Sequence, residues 1–221
     1  MTRRWVIVAL GLLGAVVVGG ISQAFLWRWG PDSLSNMTGS QFMWVLLAFG
    51  VSWAWADGRL GAGTAAGAMT GLALIASYYA MQWLADGRHS AVAQFTRTGG
   101  VAWTLACVGG GAVIGLFGAL AGMHGGDRAR LKALGITTPA LVVSVGPVLW
   151  ILTNGTNLPV SQLLLALAVF VLVGVTLLVV TFRACGAAAC AQGLLVSLGL
   201  CAVALGGLLM LETHGWLYLT F

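Results

Sequence analysis

Charge is what this chain has least of. Only 7% of its 221 residues are charged, against about 25% in a soluble globular domain, so a water-exposed fold of this length is excluded. Every Asp, Glu, Lys, Arg and His falls between or at the ends of hydrophobic runs, with Asp57 and Glu212 the nearest approaches. Ionisable groups inside spans mark proton relays and ion paths, and their absence argues against a carboxylate-driven pump. The net charge of +5 comes from scattered basic residues that form no continuous patch, so nucleic acid is not an expected partner. Their positions set membrane orientation instead.

Cysteine and catalytic motifs are equally sparse. Cys107 and Cys201 lie within apolar runs, where a thiol behaves as a small hydrophobe. Cys185 and Cys190 flank a Gly-Ala run that we assign to the cytoplasmic side, where thiols stay reduced. A zinc site needs two close ligand pairs, and no second pair exists, so no metal and no cofactor are expected. The chain has no His-Glu-x-x-His, no phosphate-cradling Gly-x-x-x-x-Gly-Lys and no Gly-x-Ser-x-Gly. Ser52 sits in Gly50-Val51-Ser52-Trp53, but no histidine lies within a span to serve as its base. We read it as a small residue at a helix contact and the chain as non-enzymatic.

What is present is hydrophobicity, at 60% of residues. A spanning helix takes roughly 20 apolar residues, so the length accommodates seven with short loops. The expected fold is an all-α polytopic transmembrane bundle in one domain, 1–221, with spans at about 5–27, 42–56, 62–85, 101–123, 139–153, 163–182 and 193–212. The first run outlasts a signal-peptide core of roughly 7–15 residues. It reads as a retained helix, with cleavage near Ser22-Gln23-Ala24 as the competing reading. Arg183 to Gln192 reads as a small-residue loop, His124 to Thr138 as a loop with a turn or two of interfacial helix, and Gly146-Pro147 as a kink. With the N-terminus cytoplasmic and the C-terminus external, Arg3, Arg4, Arg59, Arg128, Arg130, Lys132 and Arg183 fall inside and Arg28, Arg88 and Arg97 outside. Seven against three obeys the positive-inside rule. Nine Arg to one Lys, with abundant Ala, Gly, Val and Leu, points to the plasma membrane of a high-GC bacterium.

Glycine organises the runs. Gly63, Gly67 and Gly71 recur every fourth residue, as do Gly111 and Gly115, then Gly118 and Gly122. In lipid, helices associate through close backbone approach at small residues, so these two runs are expected to form a hairpin at the centre. At about 100° per residue, Tyr78 and Gln82 share the glycine face, while Tyr79 and Trp83 turn aside toward lipid. Most Trp and Tyr on the external side form an interfacial belt. Tyr78 and Gln82, pointing inward, join Gln23, Asn36, Trp44 and Trp103 as the candidate solute-binding residues. They outline an outward-facing pocket for a small uncharged or partly aromatic solute, roofed by the Asp32 to Asn36 loop. The Arg128, Arg130 and Lys132 cluster is a candidate contact for anionic lipid or for a membrane or cytoplasmic protein partner.

Asp32-Ser33-Leu34-Ser35-Asn36, Trp44 with Ala48-Phe49, Tyr78-Tyr79 and the Gly109-Gly110-Gly111 to Gly122 run resemble an uncharacterised family of small actinobacterial multi-pass integral-membrane proteins, over about residues 20–123. The resemblance implies membrane location. The small-residue face Gly11, Ala15 and Gly19 is similar, more faintly, to the solute-capturing subunits of energy-coupling-factor transporters, which implies a solute-binding or transport role. With no nucleotide site of its own, such a component needs a partner ATPase or an ion gradient. A non-catalytic structural or assembly subunit of a larger membrane complex is the alternative.

Overall fold

The computed structural model describes residues 2–29, 41–86, 98–154 and 160–213. Among them are seven α-helices, one 3-10 turn and no strand. The helices are α1 (Thr2–Trp29), α2 (Gln41–Ala56), α3 (Leu60–Asp86), α4 (Thr98–Ala121), α5 (Ala129–Asn154), α6 (Val160–Cys185) and α7 (Ala187–Thr213), with the 3-10 turn at Gly126–Arg128. By length and composition, four of them are apolar enough to cross a membrane, over Leu60–Leu84, Trp103–Ala121, Leu167–Cys185 and Ala187–Ala204. Shorter apolar stretches cover Val6–Ile21 and Met43–Ala56.

Glycine decides how these helices touch. A Cβ on Gly67 would stand 2.7 Å from Gly115 Cα and closer still to the Gly111 carbonyl oxygen. At Gly71 the backbone of Cys107 is as near, and at Gly63 that of Gly115. The α3–α4 seam is therefore backbone on backbone, giving dispersion contacts that no larger residue would permit. Gly118 and Gly122 lie elsewhere. Gly118 faces the backbone of Phe49 and Trp53 on α2, and Gly122 faces the α2–α3 turn. Three residues beyond Gly115, Gly118 is rotated about 60° from the α3 seam, and α2 fills that side. Ser52, fully buried, donates to the Gly63 carbonyl at 3.1 Å and ties α2 to α3.

The same device recurs around the bundle. Gly11 meets Val51, Gly19 meets the backbone of Leu74, Gly135 the backbone of Phe117 and Leu120, Gly174 the Ala140 carbonyl and Gly193 the backbone of Ala133. So α1 and α2 pack on α3 and α4, while α5 carries α6 and α7. The two groups meet where Ala48, Phe49, Ile114, Ala121 and Ile136 cluster. Only 17% of the α6 apolar window and 22% of the α7 window is buried, so both present broad apolar faces outward. Exposed apolar surface on this scale is foreign to a water-soluble monomer.

Two sequence expectations are overturned. Arg183 to Gln192 is not a loop: Gly186 alone separates α6 from α7. Its φ of 83° lets its N–H reach Phe182 O while its own carbonyl accepts Cys190 N–H, ending one helix and starting the next. The alanines on either side are strong helix formers and need no longer break. His124 to Thr138 is also mostly helix. Continuous from Ala129, α5 buries Ala133, Ile136 and Thr137 and runs through both Pro139 and Gly146-Pro147. Tertiary contact outweighs the polar local composition there.

Candidate functional site

The polar and aromatic end of the bundle is built from the first half of α2, the last turns of α3 and the first turns of α4. Trp44 and Tyr78 meet edge to face, with centroids 6.3 Å apart and planes at 69°. Tyr78 and Tyr79 repeat the arrangement at 5.8 Å and 75°. Such geometry sets the positive ring edge against the negative face of its neighbour. Gln82, one turn beyond Tyr78, and Trp103 on α4 are both half-buried, and Trp103 interacts with another part of the fold.

Tyr79 does not turn toward lipid. It is buried, and its hydroxyl donates to Gly100 O at 3.2 Å, an acceptor shared with Thr104 Oγ1 at 2.8 Å. The physical reason is the path of the seam. Gly63, Gly67, Gly71, Ile75 and Tyr79 lie on one i+4 ridge, and their neighbours on α4 step back as Ala119, Gly115, Gly111 and Cys107 to Gly100. A helix pair in contact along i±4 ridges drifts around the mean face by about 40° per turn, which carries Tyr79 into the interface. Trp83 stays outside, at 48% exposure.

One polar atom stands out. Trp44 Nε1 is buried and has no hydrogen-bond partner among the described residues, although a buried donor without an acceptor costs about 1–3 kcal/mol. Tyr78 is half-buried beside it, with its ring in edge-to-face contact with the indole. This pair can hold a flat or apolar group and donate one hydrogen bond to it. Of the other candidate residues, Asn36 and the Gln23 side chain lie outside the described residues. The structure thus brings Trp44 and Tyr78 into contact. It adds Tyr79, whose spacing on the glycine ridge of α3 is the signal that could have found it, and Thr104, which shares the Gly100 acceptor.

Among the described residues no three His, Cys, Asp or Glu side chains converge as metal ligands, and the four cysteines are free thiols. At the opposite end, His124, largely exposed, lies 3.3 Å from the partly exposed Asp57. No protein-family model, curated protein or solved structure matches the chain, so the resemblances noted above rest on their quoted residues alone.

Proposed function

We propose that the chain is a multi-pass plasma-membrane protein, N-terminus cytoplasmic, that binds a small uncharged solute at its Trp44–Tyr78 end and serves as a solute-binding or transport component without its own ATPase. The observation that carries this reading is the buried Trp44 Nε1, unpartnered among the described residues, beside a half-buried phenol. A solute with a carbonyl or ring-nitrogen acceptor on a flat apolar body satisfies the donor and stacks against the rings. Gln82, one turn further along α3, is placed to read a second polar group.

Native mass spectrometry of the protein extracted from its host in mild detergent tests this. A retained small molecule is expected, and Trp44→Phe, which keeps an aromatic ring but removes the donor, should lose it. Retention of nothing, or equal retention by Trp44→Phe, refutes the site. The second reading, a non-catalytic assembly subunit, draws on Gly109 and Gly110, which are exposed on α4 with open space where a side chain would stand. Such a surface admits a further helix at close range. A stoichiometric protein partner in the same spectrum, with no small molecule, favours that reading.

A further inference from the structure

At the end of the bundle opposite Trp44, the α6–α7 junction and the start of α5 border a cleft of about 480 Å³. Among the described residues it is lined by Arg130 and Gln192, both exposed, together with Cys185, Gly126, Ala129, Ala188 and Ala189. The N-cap of α7 is Gly186, which has no side chain to cap the first-turn N–H groups, and Ala188 and Ala189 belong to that turn. This end carries Arg59, Arg128, Arg130, Lys132 and Arg183 against Asp57 and Asp127. Two candidate spans, Leu167–Cys185 and Ala187–Ala204, terminate at the cleft, which puts it at the depth where apolar helix surface gives way to charge. Beside it the apolar faces of α6 and α7 are open, with Phe182 57% and Leu195 70% exposed.

We propose that this cleft binds a phosphate group, held by the Arg130 guanidinium and the Gln192 amide. The guanidinium fork offers parallel donors to two oxygens, and the Gln192 amide supplies a further, neutral donor in the same lining. A carboxylate spends both oxygens on the fork, whereas a phosphate keeps one for the amide. The size of the cleft leaves room for an organic substituent on the phosphate. At this depth the substituent is the headgroup of an anionic phospholipid, whose acyl chains lie along α6 and α7. A soluble phosphate ester offers the same chemistry, and the experiment separates the two. The lipid source rests on the membrane placement proposed above, but not on the solute site.

The test is native mass spectrometry of the full chain in mild detergent, titrated with equal amounts of phosphatidylglycerol and phosphatidylcholine, and separately with inorganic phosphate. Expected is one phosphatidylglycerol retained in preference to phosphatidylcholine. Arg130→Gln should weaken it by about ten- to a hundredfold, the worth of one charge-assisted contact. Gln192→Leu, which leaves net charge unchanged, should weaken it by several fold. Arg59→Gln removes the same charge from the α2–α3 turn and should leave binding unaltered. Retention of inorganic phosphate, sensitive to Arg130→Gln but without lipid preference, assigns the phosphate to a soluble source. Equal weakening by Arg59→Gln and Arg130→Gln, or retention of neither lipid nor phosphate, overturns the proposal.

Discussion

Replacing Gly67 by alanine is the sharpest test of how this bundle is held. An ordinary Cβ contact lies at 3.4–4 Å, whereas a Cβ on Gly67 would meet Gly115 Cα at 2.7 Å and the Gly111 carbonyl carbon at 2.9 Å. Both are backbone atoms of α4 and cannot rotate away. The two helices must therefore part by roughly 1 Å, and a gap of that size forfeits a quarter to a half of each dispersion contact across the seam. Overpacking strain adds about 1–3 kcal/mol, while the better helix propensity of alanine returns roughly 1 kcal/mol. The net expectation is a loss of about 2 kcal/mol, or about thirtyfold in the unfolding equilibrium. Reversible unfolding by dodecyl sulfate in mixed micelles, followed by helical circular dichroism, measures it. Gly110→Ala, where nothing lies within 4 Å, is the matched control and should be neutral or slightly stabilising. The double variant Gly67→Ala/Gly111→Ala should cost well below the sum, because both side chains occupy the gap that the first one opens. Equal stability of Gly67→Ala and Gly110→Ala, or full additivity in the double variant, would refute the backbone-on-backbone seam.

Two further outcomes follow from hydrogen bonds between helices. Tyr79→Phe removes the bond to Gly100 O, but Thr104 continues to donate there, so a loss of only about 0.5–1 kcal/mol is expected in the same assay; no loss at all would place the hydroxyl elsewhere. Ser197→Ala removes two 2.8 Å bonds, to Thr137 and Thr138, that join α7 to α5. Thr138 keeps its bond to Leu134 O, so the cost should be about 1 kcal/mol, within the range for interhelical polar contacts in membranes. A cost several times larger would mean that the hydroxyl cluster, rather than Gly193 against Ala133, holds α7 in place.

The helical class was legible because it rests on quantities that add along the chain. Scarce charge and long apolar runs allow little except helices, and the spacing of Gly63, Gly67 and Gly71 marks a contact face wherever that helix sits. The candidate site was legible only in part. Tyr78 stood out on the glycine face and Trp44 joined it as a candidate on the same side of the membrane, and they do meet. Tyr79 was misplaced because a helical wheel averages a face over the whole helix, while the contact between two helices follows a ridge that turns with each step. The lone break at Gly186 was hidden for a related reason: a run of Ala, Gly and Cys suits a helix or a loop equally, and packing against α5 selects the helix.

Taken alone, the sequence determined that the chain is helical, which residues can come within backbone distance of a neighbour, and where the positive charge gathers. Those properties belong to single residues and to their spacing. Only the tertiary structure decided which glycine faces which helix, that Gly118 serves α2 instead of α3, and that Tyr79 is locked to Gly100 while Trp44 Nε1 is left without an acceptor among the described residues. Partnership of this kind depends on where two ridges cross, and the side chains of both helices set that crossing together.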